Sequence, residues 1–435
     1  MQTKVELAYG KSSISIDLPA NAKVTLISKP PFPQSEGADQ IIETAFNNPI
    51  NSADLAGLAK NATSVCILIC DITRPVPNST FLKPMIDRLL GAGIELDNIT
   101  ILVATGLHRP NEGEELKELL GDDWVYDNVR VLNNFATCDE DHVDLGHTST
   151  RNTPVKLNKH LVNADLKIAT GLVEPHFMAG YSGGRKVIAP GVAHHETIRT
   201  FHSARFMENP AAVECQLNNN PLHEEQLEIV RMLGDAYALN TVLDEHRNLV
   251  FASFGEVIAS HLAAVDFTRA YTEIPVGRKF HTILTSSAGY PLDQTYYQTV
   301  KGMVTPLDIL EPGGTIIMVS ECAEGFGSSH FRVAQKRLIE MGKDAFLEEL
   351  QQKQLASIDE WQTQKQLKPM RMGNILLYSD RLSDEDHKDT GVTRITDVTQ
   401  AITNALEQHG ANDIAVIPEG PYVIPLSRMQ LADTD

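Results

Sequence analysis

The residues best suited to chemistry lie in one segment, 174–186, which combines histidine, glycine and lysine. His176 precedes Lys186 by ten residues, and His202 follows it by sixteen. Glycines next to the lysine would let its backbone come close to a bulky group. Such a segment has little use in a hydrophobic core. It indicates a cofactor site in which the lysine amine could form a covalent bond.

A second polar group, Asp71, Ile72, Thr73 and Arg74, directly follows the apolar run 65–70. Arginine can clamp a carboxylate or phosphate, and threonine and backbone N–H groups add hydrogen-bond donors. The same spacing also fits an Asp71–Arg74 pair that only ties down a turn stiffened by Pro75. The sequence leaves both interpretations open.

His108 and His176 follow two further apolar runs, 99–103 and 166–169. Open parallel sheets bind ligands outside the carboxyl ends of their strands, so three polar loops at such ends would meet in one crevice. Two histidines there could act as acid and base on opposite faces of a substrate, as racemisation requires. Each could instead be an ordinary loop histidine.

His202 falls in a predicted helix over residues 196–206. A lone helical histidine is more often a core or surface residue than a metal ligand. As a ligand, it would suit nickel or copper if a second imidazole and softer cofactor atoms completed the coordination.

A third candidate group lies in segment 289–301, which is predicted to become helical after Pro291. Tyr297 and Lys301 are four residues apart and share a helix face, and Gln298 lies beside them. Such side chains could hold a carboxylate and a hydroxyl, or could form a solvated helix start. Trp361 could cap a pocket or simply anchor a helix.

The order of elements is typical of an α/β fold, because short apolar runs alternate with amphipathic helical runs. We expect two domains, 1–275 and 276–435, each with a mainly parallel sheet flanked by helices and with the active site in the cleft between them. The predicted linker is the polar stretch 272–279, and the last fifteen or so residues are expected to pack back on the first domain. Predicted strands are 24–27, 65–70, 99–103, 166–169, 282–284, 315–319, 375–378 and 414–417; predicted helices include 81–90, 112–120, 333–341 and 399–407.

Composition narrows the possible partners and location. The chain has 435 residues and a net charge of −20, which argues against nucleic acid or an anionic membrane as the main partner. No signal peptide is visible, and the apolar runs are too short to span a bilayer. Five scattered cysteines are expected to be reduced thiols of a cytoplasmic protein.

Five motifs together resemble the nickel-dependent lactate racemase family of 2-hydroxyacid racemases and epimerases. The resemblance extends over essentially the whole chain. The motifs are DITRP (71–75), TGLHRP (105–110), EPHFMAGYSGGRK (174–186), His202 and GYPLDQTYYQTVKG (289–302).

This resemblance implies a nickel-pincer nucleotide, Ni(II)-pyridinium-3,5-bisthiocarboxylate mononucleotide, bound covalently to Lys186, with nickel on His202 and His176 close to the metal. It implies that His108 and His176 alternate as acid and base while hydride passes from Cα to the cofactor and returns to the opposite face. The implied nucleotide contacts are Asp71, Ile72, Thr73 and Arg74; the implied substrate contacts are Arg74, Tyr297, Gln298, Lys301 and Trp361.

The implied partners are a small 2-hydroxy acid, lactate or a relative, and the enzymes that make the cofactor. Two alternatives remain open. One is a pyridoxal-phosphate isomerase that uses Lys186 as Schiff base, and the other is a non-catalytic carrier of the nickel nucleotide. The sequence does not indicate an oligomeric state.

Overall fold

The protein is described here by a computed structural model over residues 4–33 and 37–429. Strands and helices alternate along most of the chain. The strands are β1 (Lys4–Tyr9), β2 (Ser12–Asp17), β3 (Lys23–Leu26), β4 (Val65–Cys70), β5 (Ile99–Ala104), β6 (Arg130–Asn133), β7 (His142–His147), β8 (Pro154–Asn158), β9 (Leu166–Leu172), β10 (Pro175–His176), β11 (Gly180–Tyr181), β12 (Tyr237–Leu243), β13 (Leu249–Glu256), β14 (Glu273–Pro275), β15 (Phe280–Ser286), β16 (Leu310–Val319), β17 (Asn374–Tyr378), β18 (Thr393–Ile395), β19 (Asp413–Ile417) and β20 (Ile424–Leu426).

The α-helices lie between these strands. They are α1 (Ala38–Asn47), α2 (Leu55–Ala59), α3 (Asn78–Gly91), α4 (Gly113–Leu120), α5 (Asp123–Asn128), α6 (Lys159–Val162), α7 (Arg185–Ile188), α8 (His195–Phe201), α9 (Ala204–Met207), α10 (Pro221–Leu233), α11 (Val257–Thr272), α12 (Tyr296–Val304), α13 (Ser329–Met341), α14 (Lys343–Gln352), α15 (Glu360–Met372), α16 (Asp384–Asp389) and α17 (Val398–His409).

The chain forms two compact units. Of the described residues, the first unit comprises 31–33, 37–201 and 211–270, and the second comprises 4–30, 202–210 and 271–429. The change at residues 270–271 lies close to the boundary expected near 275. The prediction that residues 1–275 form one domain differs from the structure at residues 4–30 and 202–210, which belong to the second unit.

The first unit contains a six-stranded sheet in the order β13-β12-β9-β4-β5-β6. β12 and β13 are antiparallel, and every other neighbouring pair is parallel. β4, VCILIC, is buried over nearly its whole length because helices cover both faces of a parallel sheet. Its central position brings its carboxyl end between those of β5 and β9.

The second unit contains a six-stranded sheet in the order β18-β17-β16-β15-β19-β3, and all its neighbouring pairs are parallel. β3 was predicted as a strand of the first domain, and this assignment is wrong. It pairs with β19, with Lys23 opposite Asp413 and Leu26 opposite Val416. This pairing places β3 at the edge of the second sheet. Hydropathy alone could not identify β19 as its partner.

The C-terminal part of the described chain also belongs to the second unit. β20 pairs in parallel with β14, so the expected linker 272–279 contains a strand. Residues 430–435, part of the segment expected to pack back on the first domain, lie outside the described residues. The predicted α/β class with parallel sheets in two domains is confirmed. No helix in the described part of the chain is both long and apolar enough to cross a membrane.

Candidate active site

Three polar loops of the first unit leave the same edge of its sheet. β4 lies between β9 and β5, and the three strands are parallel. Cys70 at the end of β4 pairs with Ala104 at the end of β5. The loops that carry Asp71 and His108 therefore start side by side. The loop after β9 leads to His176. The loops that carry these three residues therefore leave the carboxyl ends of neighbouring strands at one rim of the sheet.

Asp71 and His108 form a close pair on this rim. His108 Nδ1 lies 2.6 Å from Asp71 Oδ2, and the other carboxylate oxygen accepts hydrogen bonds from Thr73 Oγ1 at 2.6 Å and Thr73 N at 3.3 Å. The Asp71 side chain is 7% exposed, whereas that of His108 is 61% exposed. Burial alone would raise the pKa of Asp71. The bonds and charges of His108, Thr73 and Arg74 outweigh burial and leave that pKa below its usual value.

Arg74 pairs with a different carboxylate. Its guanidinium lies 3.8 Å from Glu174, and both side chains are partly exposed. The Asp71–Arg74 turn pair that the spacing allowed is thus replaced by an Asp71–His108 pair and an Arg74–Glu174 pair. Ile72 N donates to Asn111 Oδ1 at 3.3 Å, and the Ile72 side chain packs against the core of the first unit.

His176 lies in the short hairpin formed by β10 and β11, where it pairs with Gly180. Its Nδ1 accepts hydrogen bonds from Ala179 N at 3.2 Å and Met178 N at 3.4 Å. The ring lies 5.1 Å from that of Phe177, centroid to centroid. The loop backbone therefore fixes the orientation of this half-buried imidazole.

The glycines before Lys186 serve packing inside the protein. Gly183 and Gly184 have φ values of 85° and 42°, which favour glycine. A Cβ on Gly183 would lie 2.5 Å from Val173 Cγ2, and one on Gly171 of β9 would lie 2.9 Å from Gly183 Cα. These glycines let the loop rest directly on the sheet, and the expectation that the lysine backbone can come close to a bulky group stays a prediction.

Lys186 lies in the single turn α7 that follows this loop and is partly buried. Its backbone N–H donates to Gly183 O at 2.9 Å, and its carbonyl accepts from Gly191 N at 3.2 Å. These two bonds tie the lysine backbone to the turn before it and to the turn after it.

Sequence reasoning missed Arg185, which is completely buried beside Lys186. Its guanidinium donates to the carbonyl oxygens of Ala179 and Tyr181 at 3.0 Å and lies 2.8 Å from His261 Nε2. Burial lowers the pKa of Arg185 to about 9, and burial and this positive charge hold the pKa of His261 well below its usual value. Arg185 thus ties the glycine loop to α11. Its place in the GGRK motif gave no signal of this role.

His202 belongs to the second unit and does not lie in a helix. The predicted helix 196–206 is broken into α8 and α9, and His202 lies in the turn between them. The residue is 7% exposed, and its ring lies 5.0 Å from the ring of Trp361 at the start of α15. Because His202 lies in a turn, its side chain does not follow the direction set by a helix, and its ring packs against Trp361.

The residues proposed on segment 289–301 lie in α12, which starts at Tyr296 after an N-cap at Thr295. Tyr297 Oη donates to Asp359 Oδ1 at 3.3 Å. Within the described residues, the buried Gln298 Oε1 atom has no hydrogen-bond partner. Lys301 lies one turn after Tyr297 on the same face and is partly buried.

The structure also adds a buried polar helix that the sequence did not predict. α15, EWQTQKQLKPMRM, looks like a surface helix, yet most of its first three turns are buried. Glu360 bonds to Lys353 at 2.7 Å and Arg337 at 3.3 Å, and Gln364 donates to Glu208 at 2.8 Å. Partners from other elements satisfy Glu360 and Gln364, which lowers the cost of burying these two groups. Its run of amides was the only available signal.

Comparison with known proteins gives a consistent result. Residues 9–214 match the family described as the lactate racemase N-terminal domain, and residues 278–425 match the lactate racemase C-terminal domain. Lactate racemase of Thermoanaerobacterium thermosaccharolyticum is 32% identical over 434 residues, covering 97% of this chain and 98% of that protein. Lactate racemase of Lactiplantibacillus plantarum is 31% identical over 426 residues, covering 97% and 99%.

Solved structures agree with this relationship. The apoprotein of the Thermoanaerobacterium thermosaccharolyticum enzyme superposes with a TM-score of 0.91 at 30% identity, covering 97% of this chain and 100% of that one. A Thermotoga maritima protein shares the fold at a TM-score of 0.61 and 16% identity, covering 91% and 99%. On this evidence the chain belongs to the lactate racemase family and is an isomerase of the racemase class.

Proposed function

We propose that the enzyme inverts the configuration at C2 of a 2-hydroxy acid, lactate or a close relative. The observation that carries the proposal is the pair of imidazoles on the rim of the first unit. His108 and His176 follow strands on either side of β4, whose own end carries Asp71. Acid–base exchange at a hydroxyl on either face of a substrate needs two such groups.

The proposal also includes a cofactor, and two side chains of the protein have the chemistry to hold it. Lys186 offers a partly buried amine on a turn fixed at both sides, and His202 offers a buried imidazole. Among residues 4–33 and 37–429, no three His, Cys, Asp or Glu side chains converge as a metal-binding group. One imidazole suits a metal that arrives with its own organic ligands.

We assign Lys186 as the covalent attachment point of a nickel-pincer nucleotide and His202 as a nickel ligand. The bound group would supply a hydride acceptor for the Cα hydrogen. Trp361 packs against the His202 ring and would shield this ligand from water. Arg74 and the neighbouring residues Asp71, Ile72 and Thr73 are proposed to hold the nucleotide.

The substrate contacts are assigned by charge and hydrogen-bonding capacity. Lys301 would pair with the substrate carboxylate, and Gln298 and Tyr297 on the same helix would hold its oxygens. The buried Gln298 Oε1 atom supports this role, since a substrate hydroxyl could donate to it. Arg74 is partly exposed and is a second candidate for an anionic group, and Trp361 is proposed to border the substrate.

The test begins with protein from a host that makes the nickel-pincer nucleotide. Intact mass, peptide mapping and nickel analysis should find an adduct on Lys186 with near-stoichiometric nickel, and chiral chromatography should show a single hydroxyacid enantiomer becoming a racemate. An unmodified Lys186 without nickel, in a host where a known racemase is loaded, would rule out the cofactor assignment.

The role of Lys301 is tested by Lys301→Ala, with the exposed Lys60→Ala as the matched control. A hydrogen bond to a charged group contributes about 1.5–3 kcal/mol, so kcat/KM should fall by about 10- to 100-fold. The control variant should keep its full rate. Equal rates for the two variants would remove Lys301 from the substrate site.

We further propose a cytoplasmic location. All five cysteines are free thiols, as a reducing compartment favours. Enzymes that synthesise the cofactor are the proposed protein partners.

A further inference from the structure

The Asp71 carboxylate is built to accept hydrogen bonds. Its side chain is nearly buried, and one oxygen is fixed by two donors from Thr73. The other oxygen contacts His108 Nδ1 at 2.6 Å. Since the pKa of Asp71 lies below its usual value, the carboxylate is ionised at neutral pH and has no proton to donate.

An ionised acceptor determines the tautomer of its histidine partner. His108 Nδ1 must carry the proton in the 2.6 Å contact, so Nε2 holds the lone pair of the neutral ring. Because 61% of the His108 side chain is exposed and the Asp71 side chain is nearly buried, the ring is held at its Nδ1 side. Any proton that His108 gains must therefore go to Nε2.

His176 has the opposite arrangement. Its Nδ1 faces the backbone N–H groups of Ala179 and Met178, which can only donate. Nδ1 is therefore the acceptor, and the proton of the neutral ring lies on Nε2. The two histidines of the rim are not equivalent, because a carboxylate holds one and backbone amides hold the other.

We propose that Asp71 is a positioning residue that keeps Nε2 of His108 as the atom that exchanges a proton with the substrate hydroxyl. This inference rests on the proposed function, and it gives Asp71 a task beyond contact with the nucleotide. The substrate O–H bond breaks, its electron pair stays on oxygen, and a new N–H bond forms at His108 Nε2. The Asp71 carboxylate stabilises the resulting imidazolium, which returns the proton to oxygen when His108 acts as the acid.

The tautomers can be measured without cofactor or substrate. Two-bond 1H–15N spectra of histidine-labelled apoprotein, assigned with His108→Gln and His176→Gln, should show Nδ1–H for His108 and Nε2–H for His176. The exposed His246 supplies an internal reference for an unrestrained ring. In Asp71→Asn, whose amide can also donate, the single tautomer of His108 should be lost. A His108 spectrum like that of His246 in the native protein would overturn the proposal.

The loaded enzyme gives a second, separate readout. Asp71→Asn should lower kcat per Lys186 adduct by about 10- to 100-fold, within the range of positioned acid–base groups, whatever the level of the adduct. The exposed Asp97→Asn is the matched control and should keep the native rate. A nucleotide-binding role alone would lower the adduct level and leave kcat per loaded enzyme unchanged, which would overturn the positioning role.

Two further measurements keep the test decisive. Because the equilibrium constant of a racemisation is one, Asp71→Asn must lower kcat/KM equally for both enantiomers, which checks the assay itself. If Asp71→Asn does not fold, Asp71→Ala removes the carboxylate that contacts His108 Nδ1 and should leave His108 with a mixture of tautomers. A single Nδ1–H tautomer of His108 in Asp71→Ala would then count against the proposal. If the native protein racemises nothing, the function fails and the apoprotein spectra still decide the tautomers.

Discussion

Gly171 gives the most direct test of how the Lys186 loop is held. It lies in β9 with an ordinary backbone conformation, so alanine adds only a methyl group. That methyl carbon would lie 2.9 Å from Gly183 Cα and 3.0 Å from Gly184 N. Carbon atoms pack best at about 3.5–4.0 Å, so the loop would have to move by roughly 0.6 Å or more.

The expected cost of Gly171→Ala is about 1–3 kcal/mol in the free energy of unfolding, as for other overpacked sites. Gly91→Ala is the matched control, because a Cβ at Gly91 in α3 would meet nothing within 4 Å. That variant should gain about 0.4–1 kcal/mol, since alanine restricts the unfolded chain. Urea unfolding followed by circular dichroism measures both changes under identical conditions.

The same displacement should affect Lys186. Displacements of this size at a reacting group can cost up to about 100-fold in rate, so the proposed attachment of the cofactor to Lys186 should be slowed by about tenfold or more in Gly171→Ala. If Gly171→Ala unfolds at the same urea concentration as Gly91→Ala, the loop is not packed on β9 as the contacts indicate, and the explanation of the glycines fails.

Three further predictions concern stability and reactivity. Burial lowers the pKa of His223 to about 2 and that of His261 well below its usual value, so the unfolded chain binds more protons as pH falls below about 6.5. Stability in urea should then fall between pH 7 and pH 5, by about 2 kcal/mol for His223, with His261 acting in the same direction. Burial raises the pKa of the Cys66 thiol to about 12, so a disulfide reagent should label it only after unfolding. Tyr296→Phe removes the 2.8 Å bond to Gln366 and should lower the free energy of unfolding by about 1–3 kcal/mol.

Buried strands were the part of the fold most predictable from sequence. The run 65–70 coincides with β4, because a strand covered on both faces is apolar throughout and polar residues follow it at once. Helix 399–407 was found within two residues at each end, since its apolar face has a clear period. These signals are local, so they do not depend on the rest of the fold.

Partnerships between distant segments could not be read in the same way. β3 pairs with β19 across most of the chain, and no periodicity in either strand specifies that choice. The helix break at His202 and the burial of α15 likewise depend on what packs around them. Sequence alone identified the strands but not all of their neighbours.

The candidate site shows the same division. The strand-end rule predicted that Asp71 and His108 lie on one rim, but the pairing of Cys70 with Ala104 was needed to make them neighbours. Asp71 was therefore assigned to the turn or the nucleotide, and its bond to His108 was missed. The position of His108 after a strand indicated a proton-transfer residue, whereas its pairing with Asp71 depended on the register of the two strands.

The Lys186 loop is held rigidly by two kinds of contact. Glycines rest on β9 at distances that exclude a side chain, and the buried Arg185 ties the same loop to Ala179, Tyr181 and His261. Burying a guanidinium among neutral partners is unfavourable, and its lowered pKa reflects that cost. An exposed amine alone would not require the unfavourable burial of Arg185. The arrangement is understandable if the amine must stay in one position through every turnover, as a permanently attached cofactor requires.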